Sequence, residues 1–233
     1  MRTAVPGLEC FPALSRTGVA GLDHAFVLRV AGVAVDAEKA EVMERLAPFH
    51  RRAVEALGWP VSRLATAEQV HGVELALVGE DVGKGSGPIG GADGLLTGAA
   101  GVLLGIVVAD CCAVYVVDSR TKALGLLHAG RRGTEAGILS RAVESMQAGF
   151  GSQPEDLWVQ LSPCIRPPAY EADIPAMLKR QAWEAGIPVE RVIDCGVCTS
   201  SDPARYYSYR REGGRTGRML ALLGRRKQTG NDD

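Results

Sequence analysis

Aromatic residues make up only 5% of this 233-residue chain, and it has just four histidines, His24, His50, His71 and His128. So few imidazoles exclude a protein with several copper centres, which together need roughly ten of them. Charge of one sign is also lacking: 26 Lys and Arg stand against 27 Asp and Glu, a net charge of −1. Nothing global therefore draws the chain to nucleic acid or to an anionic membrane. Long hydrophobic runs are missing as well. The apolar stretch from Gly101 to Ala109 is far shorter than the roughly 20 residues that span a bilayer. The opening "MRTAVPGLECFPALSR" carries Glu9 and no unbroken apolar core, so it does not read as a secretory signal. Without an export signal, the six cysteines are expected to be reduced thiols in a cytoplasm, not a disulfide framework.

What is present suits a globular chain with a real core: 46% of residues are hydrophobic and 23% charged. There is no internal repeat. The glycine-rich stretch "GEDVGKGSGPIGGADG" (79–94) predicts a mobile loop, and residues 225–233 predict a disordered tail. Valine-rich or continuously apolar runs predict strands at 24–35, 73–78, 102–109, 113–118, 123–128 and 156–162. Two more are expected near Arg191–Asp194 and Tyr206–Tyr209. Apolar spacing of three and four predicts helices from Asp36 to Leu57, with Pro48 kinking it or opening its second half, and from about Glu135 to Ala148. For the latter, Thr134 is the expected cap and Gly149 the stop. A third helix is expected over 173–186, with Asp173 as cap, Pro175 in the first turn and Gly186 as stop. The pattern predicts one α/β domain with a mixed central β-sheet flanked by helices.

Two of these apolar runs end in side chains that bind metals or act as nucleophiles. "VVADCC" places Cys111 after one strand, and "LGLLHAG" places His128 at the end of another. A third such side chain, His71 in "EQVHGVE", precedes a strand. In α/β sheets chemistry collects where strands end. Two imidazoles and one thiolate, with a fourth place left open, are the donor set of a catalytic zinc rather than a structural one. None of the spacings is a local zinc signature, and a buried cysteine packed as a small hydrophobe with two hydrogen-bonded histidines is the alternative. Asp110, beside Cys111, is either a group that orients the ligand or accepts a proton, or a strand-end aspartate satisfying backbone amides. "HAGRRGT" (128–134) sets Arg131 and Arg132 in a turn feeding a helix, an arrangement suited to phosphate or equally to a solvated surface turn. "CGVC" (195–198) lacks the context of a redox pair and reads as structural thiols, and Cys112 as packing.

The segments "EQVHGVE", "GADGLLTGAAGVLLGIVVADC", "LGLLHAGRRG", "LSPCI…YEAD" and "CTSSDPARYYSYRREGGRTGRMLAL" occur together and in this order. With them the chain resembles a bacterial family described both as laccase-domain or multicopper polyphenol oxidases and as purine nucleoside phosphorylases with adenosine deaminase activity. The resemblance spans nearly the whole chain as one domain, 1–233. It implies a three-layer α/β fold and a zinc site formed by His71, Cys111 and His128, with copper disfavoured by the histidine count. It also implies phosphorolysis of adenosine, inosine, guanosine or methylthioadenosine, with nucleoside and phosphate as the partners, in a monomer or homodimer. Cys111, His128, Asp110 and Arg132 are then the catalytic candidates, and Arg29, Arg131, Arg132 and Arg210 the substrate and phosphate candidates. The stretch 205–218 becomes a rim of the site, not a nucleic-acid reader, with Arg210 and Arg218 the residues to test. The family usually writes "HAGWRG", so Arg131 stands where a tryptophan is usual. Ala113, Ser162 and Ala34 also depart from the pattern. Two other readings stay open: an amide hydrolase editing a peptidoglycan precursor, with Cys111 and His128 as nucleophile and base, and a zinc-stabilised interaction module without turnover.

Overall fold

Apolar side chains in the middle of the chain alternate between separate cores, and that alternation sets the architecture. The computed structural model describes residues 7–82 and 87–227. In β7 (Cys112–Asp118), Ala113, Tyr115 and Val117 enter one core while Cys112, Val114 and Val116 enter a second. In β11 (Met219–Arg225), Met219, Ala221 and Leu223 enter the first core, and Leu220 and Leu222 a third. Three cores need four layers.

Two mixed sheets supply the inner pair. The first has the order β1 (Leu8–Glu9), β2 (Leu22–Val27), β11, β6 (Val102–Val108), β3 (Leu64–Thr66). The second runs β10 (Val192–Asp194), β9 (Leu157–Leu161), β7, β8 (Leu124–Ala129), β5 (Gly94–Thr97), β4 (Leu75–Leu77). Between them, the Tyr115 hydroxyl of β7 donates to the Ala25 carbonyl of β2 at 2.8 Å, satisfying a fully buried polar group across the interface. Helix α1 (Lys39–Ala56) covers the outer face of the first sheet through Ala53 and Val54. After the one-turn α2 (Arg131–Glu135), α3 (Ile138–Phe150) and α4 (Ile174–Glu184) cover the second with Leu139, Val143, Met146 and Leu178. No helix among the described residues is long and apolar enough to cross a membrane.

The α/β class and the mixed pairing are as expected, but the single central sheet is two sheets face to face, so three layers become four. The strand predicted over 24–35 ends at Val27, and Tyr206–Tyr209 forms no strand. Instead β11 fills the middle of the first sheet and extends through Arg225, where the tail was expected to begin. Residues 228–233 of that tail, and 83–86 of the glycine-rich loop, lie outside the described residues. Ile89 of the loop is tied down by Glu68 and Thr66 backbone bonds of 2.9 and 2.8 Å. Helix α1 continues through Pro48. Asp173 caps α4 as predicted, accepting from the Ala176 amide at 3.0 Å. Thr134 does not cap α3: it lies inside α2, and α3 starts after Gly137 and stops at Gly151, both with positive φ.

The chain passes from one sheet to the other four times: at 98–101, at the start of β6, and at 67–74, 109–111 and 195–218, the three that bear on the site. β3 and β6 run parallel, so both end at the same edge, where β11 begins opposite Val108. The last three therefore gather at one end of the sandwich, where β8 also ends.

Candidate metal centre and active site

His71 sits on the 67–74 crossing, Cys111 on the 109–111 crossing, and His128 on β8 itself. The turn that presents Cys111 needs Asp110 in the left-handed region, φ 78°, and His71 and Gln69 adopt φ 61° and 57°. Such conformations in non-glycine residues cost energy and concentrate at functional sites. Cys111 Sγ lies 3.9 Å from His71 Nε2, and the ligating atoms of His71, Cys111 and His128 all fall within 4.8 Å of one another. Donors bound to one tetrahedral zinc sit roughly 3.5 Å apart, so the trio fits a single ion with little adjustment. It is the one group of three or more donors with this geometry among the described residues. His24 and His50 are committed elsewhere, His24 accepting from the Phe11 amide and His50 facing the Arg218 carbonyl.

A residue not singled out from the sequence organises this trio. Asp93, fully buried, accepts from the amides of Val70, His71 and Gly72 at 3.2, 2.9 and 2.6 Å. Its Oδ1 also meets His128 Nδ1 at 2.8 Å. One carboxylate thus shapes the loop carrying His71 and turns the His128 ring so that Nε2 faces the cysteine, as carboxylates behind metal-bound histidines do. Burial opposes ionisation of Asp93, yet the bonds from His128 and the Gly72 and His71 amides hold its carboxyl below the usual range. Burial likewise opposes a Cys111 thiolate, but His128 and His71 pull the thiol down to about 6. For His128, burial is outweighed by Asp93 and Cys111, which push it up to about 9. The site is built to hold an ionised thiolate, the form that binds metal or attacks carbon. Gly130 and Gly133 are required by close approach: a Cβ at Gly130 would meet Cys111 Sγ at 3.1 Å, and one at Gly133 the Gly72 carbonyl at 2.5 Å.

The trio lies on a cavity of about 640 Å³, large enough for a nucleoside-sized ligand. Arg131, Arg132, Arg210 and Arg218 line it, with Lys39 and the rings of Tyr170 and Tyr209. Arg131 and Arg132 belong to the five-residue α2 rather than to a turn before a helix at Glu135. Arg132 is exposed and has no ion pair among the described residues. Arg29 is not brought here: it pairs with Glu212 at 2.8 Å, lies over Tyr207, and lines a separate groove beside α1. Asp110 spends both carboxylate oxygens, Oδ1 on the Thr199 hydroxyl at 2.6 Å and Oδ2 on the Arg210 amide at 2.7 Å. It anchors the rim segment to the crossing. All six cysteines are free thiols, and burial raises Cys195 of "CGVC" to about 11, the opposite of an activated redox cysteine.

The family model described as multi-copper polyphenol oxidoreductase laccase matches residues 31–173 and 169–226. The chain belongs to this family. Relatives of this laccase-type chain include the purine nucleoside phosphorylase YlmD of Geobacillus stearothermophilus, 33% identical over 76% of this chain and 78% of that one. A purine nucleoside phosphorylase of Deinococcus radiodurans is 30% identical over 97% of each. The solved structure of Geobacillus stearothermophilus YlmD superposes with a TM-score of 0.83 at 29% identity, covering 97% of this chain and 98% of that one. YfiH of Bacillus licheniformis, at 20% identity and a TM-score of 0.81, shares the fold.

Proposed function

We propose that this chain is a zinc-dependent purine nucleoside phosphorylase, splitting adenosine, inosine, guanosine or methylthioadenosine with inorganic phosphate. The observation that carries the reading is the pairing of a His–Cys–His donor set with an arginine-lined cavity, in a chain whose relatives are named for this activity. His71, Cys111 and His128 would hold the ion, and two imidazoles with one thiolate suit zinc. A bound zinc supplies Lewis acidity toward an oxygen or nitrogen of the substrate. The chain's own residues supply positioning. Arg132, unpaired and on the cavity, offers a guanidinium fork to the attacking phosphate. Arg218 stacks on Tyr209 with its centre 5.9 Å from the ring and adds positive charge on the Cys111 side. Tyr209 and Tyr170 present flat faces on which a purine can stack. Phosphate oxygen bonds to the anomeric carbon as the bond to the base breaks, and fixed charges that need no reorganisation lower that barrier. Asp110 and Asp93 act by positioning.

The test is chromatography of base released from each nucleoside, with and without phosphate, alongside metal analysis. The expected result is one zinc per chain and strictly phosphate-dependent release. His71→Ala and Cys111→Ala should lose metal and turnover together, and Arg132→Ala should lose about 10²–10³-fold in rate while keeping the metal. Full activity in Cys111→Ala sinks the mechanism. The same chromatogram shows whether adenosine is also deaminated to inosine, the companion activity the family resemblance implies. The depressed Cys111 thiol favours one rival, a cysteine amide hydrolase. Iodoacetamide separates the two: a metal-bound thiolate is alkylated only after chelation, a free nucleophile at once.

A further inference from the structure

The cavity carries more positive charge than one inorganic phosphate and a neutral nucleoside require. Five cationic side chains line it, against the Cys111 thiolate and Asp110, whose oxygens are already bonded. The chain's net charge is −1, so this excess is local. At the mouth two guanidiniums converge on one carboxylate: Arg131 Nη1 donates to Glu171 Oε1 at 3.0 Å and Arg210 Nη2 to Glu171 Oε2 at 3.1 Å. Both arms are braced. Arg131 Nε bonds Glu135 at 2.8 Å. Arg210 lies 4.8 Å over the Tyr170 ring, and its amide is fixed by Asp110. Two forks aimed at a carboxylate's oxygens are also aimed at those of a phosphate monoester, which carries more charge and a third oxygen. Arg131, Arg210 and Glu171 are 46%, 53% and 54% exposed, so the internal pairing is weak and exchangeable.

We infer that Arg131 and Arg210 form a second anion subsite, with Glu171 as its resident stand-in, and that it receives the phosphate of a purine nucleoside 5′-monophosphate. This rests on the phosphorylase reading and names its substrate class. The reaction balances: inorganic phosphate forms the bond to C1′, the base leaves with the electron pair of the C1′–N9 bond and takes up a proton, and ribose 1,5-bisphosphate is released.

The experiment compares inosine 5′-monophosphate with inosine, by calorimetric binding in phosphate-free buffer and by kcat/KM for hypoxanthine release at saturating inorganic phosphate. The monophosphate should bind and react at least tenfold better. Arg131→Gln and Arg210→Gln should each cut that preference below threefold, and Glu171→Gln should increase it. A preference that vanishes at saturating inorganic phosphate overturns the proposal, because the 5′-phosphate was then only occupying the co-substrate's place. Turnover of inosine with no preference overturns it and leaves the phosphorylase reading standing. Failure of both compounds to bind or react overturns both.

Discussion

Single atoms decide much at this site. Asp93 serves two ligands with one carboxylate, so Asp93→Asn should weaken zinc binding about 10- to 100-fold, measured by competition with a chromophoric chelator. An amide presents a donor toward amides that need an acceptor, and zinc affinity unchanged in this variant would deny Asp93 its role. Gly133→Ala makes a backbone collision with Gly72. It should cost about 1–3 kcal/mol of stability in urea unfolding and also reduce zinc affinity by displacing His71. At this scale the sequence was partly readable. His71, Cys111 and His128 were recognisable because strand ends collect chemistry and the surrounding motifs matched a family. Asp93 lies in "GADG" with no local signal of its role. Its role exists only once residues 70–72 and 128 meet it in space, which no local pattern encodes. Arg29 matched a motif, yet Glu212 holds it away from the cavity.

Elements with strong local signals were the most legible. β6, β7 and β8 follow from apolar runs closed by polar residues, and α4 from Asp173, Pro175 and Gly186. β11 carries no expectation although "MLALLGR" is an apolar run: it falls between the rim assigned to 205–218 and the tail expected from 225, and its partners β2 and β6 are distant in sequence. Helix α1 carries a consequence for pH. His50, 8% exposed, is pushed down to about 4 by burial, against the bond to the Arg218 carbonyl that favours its charged form. The unfolded chain takes up this proton near pH 6.5 while the folded chain refuses it until about 4. His50 therefore lends stability that is present above pH 6.5 and lost as pH falls toward 4, up to about 3 kcal/mol. Urea unfolding of metal-free protein at pH 7 and 4.5 should show a smaller loss in His50→Gln than in the unsubstituted chain. Equal losses would remove His50 from the account.

Across the whole molecule, partition into two sheets was the least readable property. Which strand pairs with which depends on contacts distant in sequence, and each of these strands is apolar enough to lie in either sheet. Their bilateral burial was legible; their partners were not. On the proposed reading, zinc held by the trio would stabilise the whole fold by mass action, about 2.7 kcal/mol at a free concentration one hundred times its dissociation constant. The melting temperature should rise with added zinc, fall with a chelator, and respond to neither in Cys111→Ser.

Two of the three candidate ligands, His71 and Cys111, ride on segments that leave one sheet for the other, and the third belongs to the second sheet outright. An ion gripped there would work as a rivet through the spine of a book, at the end where the chain already stitches the sheets together. Prising the sheets apart at that end and surrendering the ion become one event, so the amide hydrogens of Val107, on the cavity wall, and of Leu220, on the neighbouring strand, should exchange faster when the ion is withdrawn.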